Sequence, residues 1–196
     1  PISSLDYWGI WDSYIRYIGA GAVAFGGILS LIKSLPLIVD TFRKAMKDYS
    51  IKGESSTLRT DNDMSMKVVL LGSLAVIISI WLIPTIPVNL LGAVLIAVFG
   101  FFFATVSSRL VGLVGSSNNP VSGMAIATLL ISTLALKASG LVGREGMLGS
   151  IAIGSIICII AAIAGDASQD LKTGYIVGAT PRKQQMGELV GVLISA

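Results

Sequence analysis

Long uncharged runs alternate with short polar stretches along this chain. Tyr14 to Ile32 carries only Arg16 near its start, and Val68 to Ile83, Val88 to Ser108, Val121 to Leu136 and Met147 to Gly165 carry no charge at all. A further apolar run begins near Gly187. A helix needs roughly 20 apolar residues to cross a hydrocarbon core about 30 Å thick, and these segments meet or nearly meet that length. The pattern predicts an all-α, polytopic transmembrane bundle of about five to six spans with broken or re-entrant segments. A β-barrel would show short strands of alternating hydrophobicity instead.

The same pattern divides residues 1–196 into a first helix with a cytoplasmic extension (14–46), a cytoplasmic loop (47–67), helices with a break at 115–123 (68–165), a polar cytoplasmic-side segment (166–186) and the start of another helix (187–196). Within the extension, Phe42, Ala45, Met46 and Tyr49 suit one apolar face. Asp48 to Lys67 mixes both signs with Ser, Thr and Gly and has no apolar period, so it reads as a flexible connector. Pro36, Pro84 and Pro87 are expected to kink or end helices, with a tight turn over Pro84 to Pro87. Small residues recur along one face at Ala125, Thr128, Ser132, Ala135 and Ser139, and again at Ala20 with Ala24 and Ala22 with Gly26, where they let helices approach closely.

Composition agrees, with 54% hydrophobic and 13% charged residues and a mean hydropathy of +0.83, beyond what soluble domains of this length reach. Charge adds orientation. One side of the alternating spans receives Lys33, Arg43, Lys44, Lys47, Lys52, Arg59, Lys67, Arg109, Lys172, Arg182 and Lys183, the other only Arg16, Lys137 and Arg144. The positive-inside rule makes the first set cytoplasmic. The net charge of +3 is therefore a topology signal and does not point to nucleic acid. A single cysteine, Cys158, excludes a disulfide within the chain, and with no His there is no metal-ligand cluster and no cofactor motif.

The chain begins without Met, its opening PISSLDYWGIW lacks the features of a signal peptide, and GELVGVLISA stops inside an apolar helix. These ends predict an interior piece of a longer protein.

Chemistry is expected at two polar breaks, because non-helical backbone at membrane depth survives only where protein or a water-filled cavity satisfies it. The first is GSSNNPVSG, Gly115 to Gly123. Asn119 or Asn118 is a natural N-cap and Pro120 suits the first helical position, so the amides and positive dipole end near Ser122 face an anionic group or simply cap a solvated loop. The second is GDASQDLKTGY, with Asp166, Gln169, Asp170, Lys172 and Thr173. In a helix Asp166 and Asp170 share a face, and two close carboxylates make a proton acceptor. Asp170 and Lys172 are also placed to neutralise each other, and a hydrated cytoplasmic loop is the plainer alternative.

YIRYIGAGAVAFGGILSLIKSLP, GSSNNPVSGMAIATLL and GDASQDLKTGYIVGATPRKQQMGELVG together resemble, in the same order, the prokaryotic branch of the oligopeptide transporter (OPT) family, related to the yellow-stripe-like metal-chelate transporters. The combined set is specific, SQDLKTGY less so, and Asn-Pro-Val-Ser-Gly alone hardly at all. The resemblance implies a secondary active transporter of a prokaryotic inner membrane, not an enzyme. It implies proton-driven uptake of small peptides or peptide-like metal chelates, with the rest of a longer transporter chain completing an inverted-repeat bundle. Carried onto matching positions, the substrate or ion path candidates are Asn118, Asn119, Pro120, Ser122, Asp166, Gln169, Asp170, Lys172 and Thr173.

Rival classes fit less well. An intramembrane aspartyl protease needs a second aspartate on another helix, and the remaining long spans contain none. An aquaporin-type channel needs two Asn-Pro-Ala half-helices, where this chain has one Asn-Pro followed by Val. A non-transporting membrane scaffold accommodates the packing stripes and charged loops as well as a transporter does.

Overall fold

The computed structural model describes residues 4–50, 58–84 and 88–195, apart from a set of side chains in the first long helix and that of Asn118. The described residues form helices, turns and loops, with no strand among them. Asp6 opens α1 (Tyr7–Ile10), its carboxylate accepting from Gly9 N–H at 2.8 Å. A π-helical turn over Trp11–Ile15 then feeds α2 (Arg16–Ser50).

At 1.5 Å per residue α2 is about 52 Å long. Of the two outcomes expected at Pro36, a kink or an end, the end does not occur: the helix runs through it. The later helices are α3 (Met66–Leu82), α4 (Leu90–Val114), α5 (Val121–Ala138), α6 (Gly143–Ile176) and α7 (Pro181–Ser195). Pro84 does follow the end of α3, whereas residues 85–87, and with them Pro87, lie outside the described residues.

Four helical segments among the described residues are long and apolar enough to cross a membrane: Arg59–Leu82, which ends in α3, and then α4, α5 and α6. Large apolar side chains such as Leu70, Phe101, Leu134 and Ile163 cover the outer surface. In water such a surface would aggregate; against lipid tails it is the solvated side.

Lipid gives helices little hydrophobic reason to associate, so close packing and polar contacts must hold them. The sequence supplies both. Helix α6 sits between α4 and α5, and Ile153, Ile157 and Ala161 on it are fully buried with Ile96, Phe103 and Val106 of α4 and Met124 of α5. At Gly154 an added Cβ would lie 2.6 Å from Leu129 Cδ2, so any larger residue would push the Leu129 side chain aside. Thr128 and Ser132 of the small-residue face of α5 are buried, each hydroxyl satisfied on its own helix at Met124 O and Leu129 O, while Ser139 at its end is exposed. The corresponding face of α2 is open: Ala20 and Ala22 are exposed, and a Cβ at Gly26 would meet nothing within 4 Å. Helix α2 instead leans on α4 through Phe42, whose ring centre lies 4.6 Å from that of Phe102.

Two expectations change here. No break follows Gly165, because α6 stays helical to Ile176 and its polar end is an extension of the apolar part. Ala, Gln, Leu and Lys in ASQDLK favour helix, and the turn waits for Gly178, whose φ of +76° suits a residue without a Cβ. The described part of the 47–67 loop is also docked, through hydrogen bonds from residues 59–64 to residues 178–185.

Candidate functional site

The predicted break before α5 exists, but its chemistry differs from the expectation. The chain leaves α4 at Gly115, makes one 3-10 turn over Ser116–Asn118 and enters α5 at Val121. Pro120 occupies the N-cap position rather than the first helical one, and no side chain caps the helix. Asn119 is turned inward. Its Nδ2 donates to Ser107 Oγ at 2.7 Å and more weakly to Ala161 O at 3.4 Å. Ser107 Oγ in turn donates to Ala161 O. A side chain so engaged is unavailable to the α5 amides, which is why Asn119 does not act as the expected cap. Its remaining oxygen, Oδ1, is buried without a partner among the described residues. Ser122 is exposed at the start of α5, and the Asn118 side chain lies outside the described residues.

This junction is the inner end of a polar seam between α4 and α6. Further along, Ser168 Oγ donates to Ser108 O at 2.6 Å, and Lys172 Nζ donates to Gly112 O at 2.5 Å. Lys172 thus serves a carbonyl in the last turns of α4, where the helix dipole favours a cation. The expected neutralisation of Asp170 by Lys172 does not occur. Residues two apart on a helix point in different directions, and the described ion pairs are Arg16 with Asp12 and Lys44 with Asp40. Gly165 makes the seam possible, since a Cβ there would stand 2.9 Å from Asn119 Nδ2 and Val111 Cγ2 and 3.0 Å from Ser107 Oγ.

The other face of α6 carries a different arrangement. Met147 to Gly165 spans about 28 Å at 1.5 Å per residue, so Asp166 falls at the edge of an apolar layer about 30 Å thick. Asp166 and Gln169 are exposed. One turn further, Asp170, Thr173, Gly174, Val177 and Ala179 face Gln184 and Glu188 of α7 across a cleft of about 390 Å³. Gln184 Nε2 donates to Asp170 O at 3.1 Å, and its amide packs directly on Gly174, where any Cβ would collide with it. Thr173 Oγ1 donates to Gln169 O at 3.0 Å. Two acceptors in the cleft, Gln184 Oε1 and Glu188 Oε1, are buried with no donor among the described residues. A second, larger groove of about 510 Å³ runs along Phe42 and the aromatic side of α4; its almost wholly apolar lining suits acyl chains.

The structure therefore brings Asp170 and Thr173 to one cleft, leaves Asp166 and Gln169 facing outward, and spends Asn119 and Lys172 on holding α4 to α6. Glu188 and Gln184 were absent from the sequence-based set. The signal for Glu188 was present, as the one carboxylate at the head of the apolar run GELVGVLIS.

Four helical segments long and apolar enough to cross a membrane, two of them joined by a polar seam, define an integral, multi-pass helical membrane protein. The chain belongs to the oligopeptide transporter family, since the family model "OPT oligopeptide transporter protein" matches residues 3–196. It is 32% identical over 209 residues to a protein of Haemophilus influenzae named "Putative oligopeptide transporter", covering 95% of this chain and 33% of that relative. A Saccharomyces cerevisiae protein of the same description is 32% identical over 154 residues, covering 78% of this chain and 20% of its own length. The chain thus spans a third or less of the relatives it matches. No solved structure matches it significantly.

Proposed function

We propose that this chain is part of a secondary active transporter of the cytoplasmic membrane that takes up small peptides or peptide-like metal chelates, driven by protons. The names of the two relatives support transport of oligopeptides. The observation that carries the reading to a place is the α6–α7 cleft, where Asp170 and Glu188 share one cavity and two buried acceptors have no donor. Buried acceptors without donors are costly, so the site favours whatever brings N–H or O–H groups to them. A proton on Glu188 or the ammonium end of a peptide does this. The basic side chains on the same side as the cleft make that side cytoplasmic.

Asn118, Pro120 and Ser122 remain candidates for the path at the α5 start, where uncapped amides suit a carboxylate. Asn119 contributes there by holding the junction in place. Asp170 is the stronger candidate for coupling than Asp166, whose carboxylate faces outward and has no partner among the described residues.

The test is uptake by the complete native protein in proteoliposomes, offered pooled short peptides and metal chelates with and without an inward proton gradient. Gradient-dependent accumulation of one pool is expected. Folded, inserted protein that accumulates neither pool overturns the reading in favour of a scaffold.

A further inference from the structure

Residues 59–64 bind both helix ends that meet at the α6–α7 elbow. Arg59 Nη2 donates to Gly178 O at 2.6 Å and Nη1 to Thr180 Oγ1 at 3.4 Å. Gly178 ends α6 in the left-handed conformation, with Ala179 N–H returning to Gly174 O at 2.7 Å. Its own carbonyl is left at the negative end of the helix dipole, where a guanidinium binds well. On the other side of the elbow, Asn62 O accepts from Arg182 N–H at 3.0 Å. That amide lies in the first turn of α7, where amides have no partner within the helix. Gln185 closes the set, its Oε1 accepting from Met64 N–H at 2.8 Å and its Nε2 donating to Asp63 Oδ1 at 3.3 Å.

Helix α7 has little else to hold it. Pro181 is its one buried residue, and apart from the elbow it meets α6 through Gln184 and the cleft. Gln184 and Gln185 are neighbours that work on opposite sides, the first engaging Asp170 O and the second engaging the loop. Displacing the loop therefore acts one residue away from the side chain that bonds α7 to α6 at the cleft. The loop leads within two residues into α3, none of whose residues is buried and whose main neighbour is α4. The hydrogen bonds of the loop sit mostly at exposed positions, where water replaces them easily.

We propose that residues 59–64 are a latch that holds α7 against α6 and so fixes the α7 wall of the cleft, and that release of the latch lets α7 swing away from α6. The latch does not depend on what the cleft binds. The experiment uses the complete native protein with its other cysteines replaced, Cys158→Ser included, and Glu188→Cys as a reporter in the cleft. Its rate of reaction with a polar maleimide is read in permeabilised vesicles, so that the reagent reaches both faces. Arg59→Ala and, separately, Gln185→Ala should speed labelling at least about threefold, as expected when a minor open state gains population. A disulfide between Asp63→Cys and Gln185→Cys should slow it below the unlatched rate, and reductant should restore it. Equal rates in the released and cross-linked proteins, or slower labelling on release, overturn the proposal.

Discussion

The two faces of α6 carry similar side chains and use them in opposite ways. Toward α4, Ser107, Asn119, Ser168 and Lys172 find partners within the protein, and most of the polar atoms there are paired. Toward α7, Asp170 and Glu188 line a cleft in which acceptors go unpaired. Polar residues in a membrane helix thus fall into those that hold the bundle and those that wait for a ligand, and the difference is read from partners, not from residue type. Within lipid a paired hydroxyl contributes modestly, while an unpaired one raises the energy until something binds it.

The sharpest way to break this contrast is Gly165→Leu, which drives a side chain into Asn119, Val111 and Ser107. It should destabilise the protein by about 3 kcal/mol, measured as a lowered melting temperature in detergent; an unchanged transition means that the seam is loose. Next come Glu188→Gln and Asp170→Asn. Each should cut gradient-driven uptake about tenfold, equivalent to about 1.4 kcal/mol, while the melting temperature stays put. A loss of stability instead would place these carboxylates with the structural face. A smaller effect is expected from a double-mutant cycle of Ser107→Ala and Asn119→Ala, with a coupling energy of about 1 kcal/mol in unfolding measurements; additive effects would mean that the two do not act as a unit. Least of all, Lys172→Met should cost about 0.5 kcal/mol and leave uptake within a factor of two. A large transport defect there would move Lys172 to the ligand face.

Much of the architecture was legible in the sequence because lipid imposes a simple length rule, and the apolar runs around α3 to α6 obey it. The break at Gly115 to Pro120 was legible too, from Gly and Pro together with a cluster of Ser and Asn. The role of Asn119 was not. Its partners, Ser107 and Ala161, lie 12 and 42 residues away, and no local pattern announces a hydrogen bond across helices. The supposed break after Gly165 misled for a related reason, since hydrophobicity marks where lipid ends and says nothing about where a helix ends. Glu188 was missed by attention to density: one carboxylate at the head of an apolar run carries more information than the polar cluster at 166–173.

Helix α6 is one rod of 34 residues, about 51 Å from end to end. Bonds at Ala161, Ser168 and Lys172 tie its second half to α4, so the polar end of the rod moves with the bundle and not apart from it. The α6 wall of the cleft is thus anchored, and any change in the width of the cleft falls to the short helix on the other side.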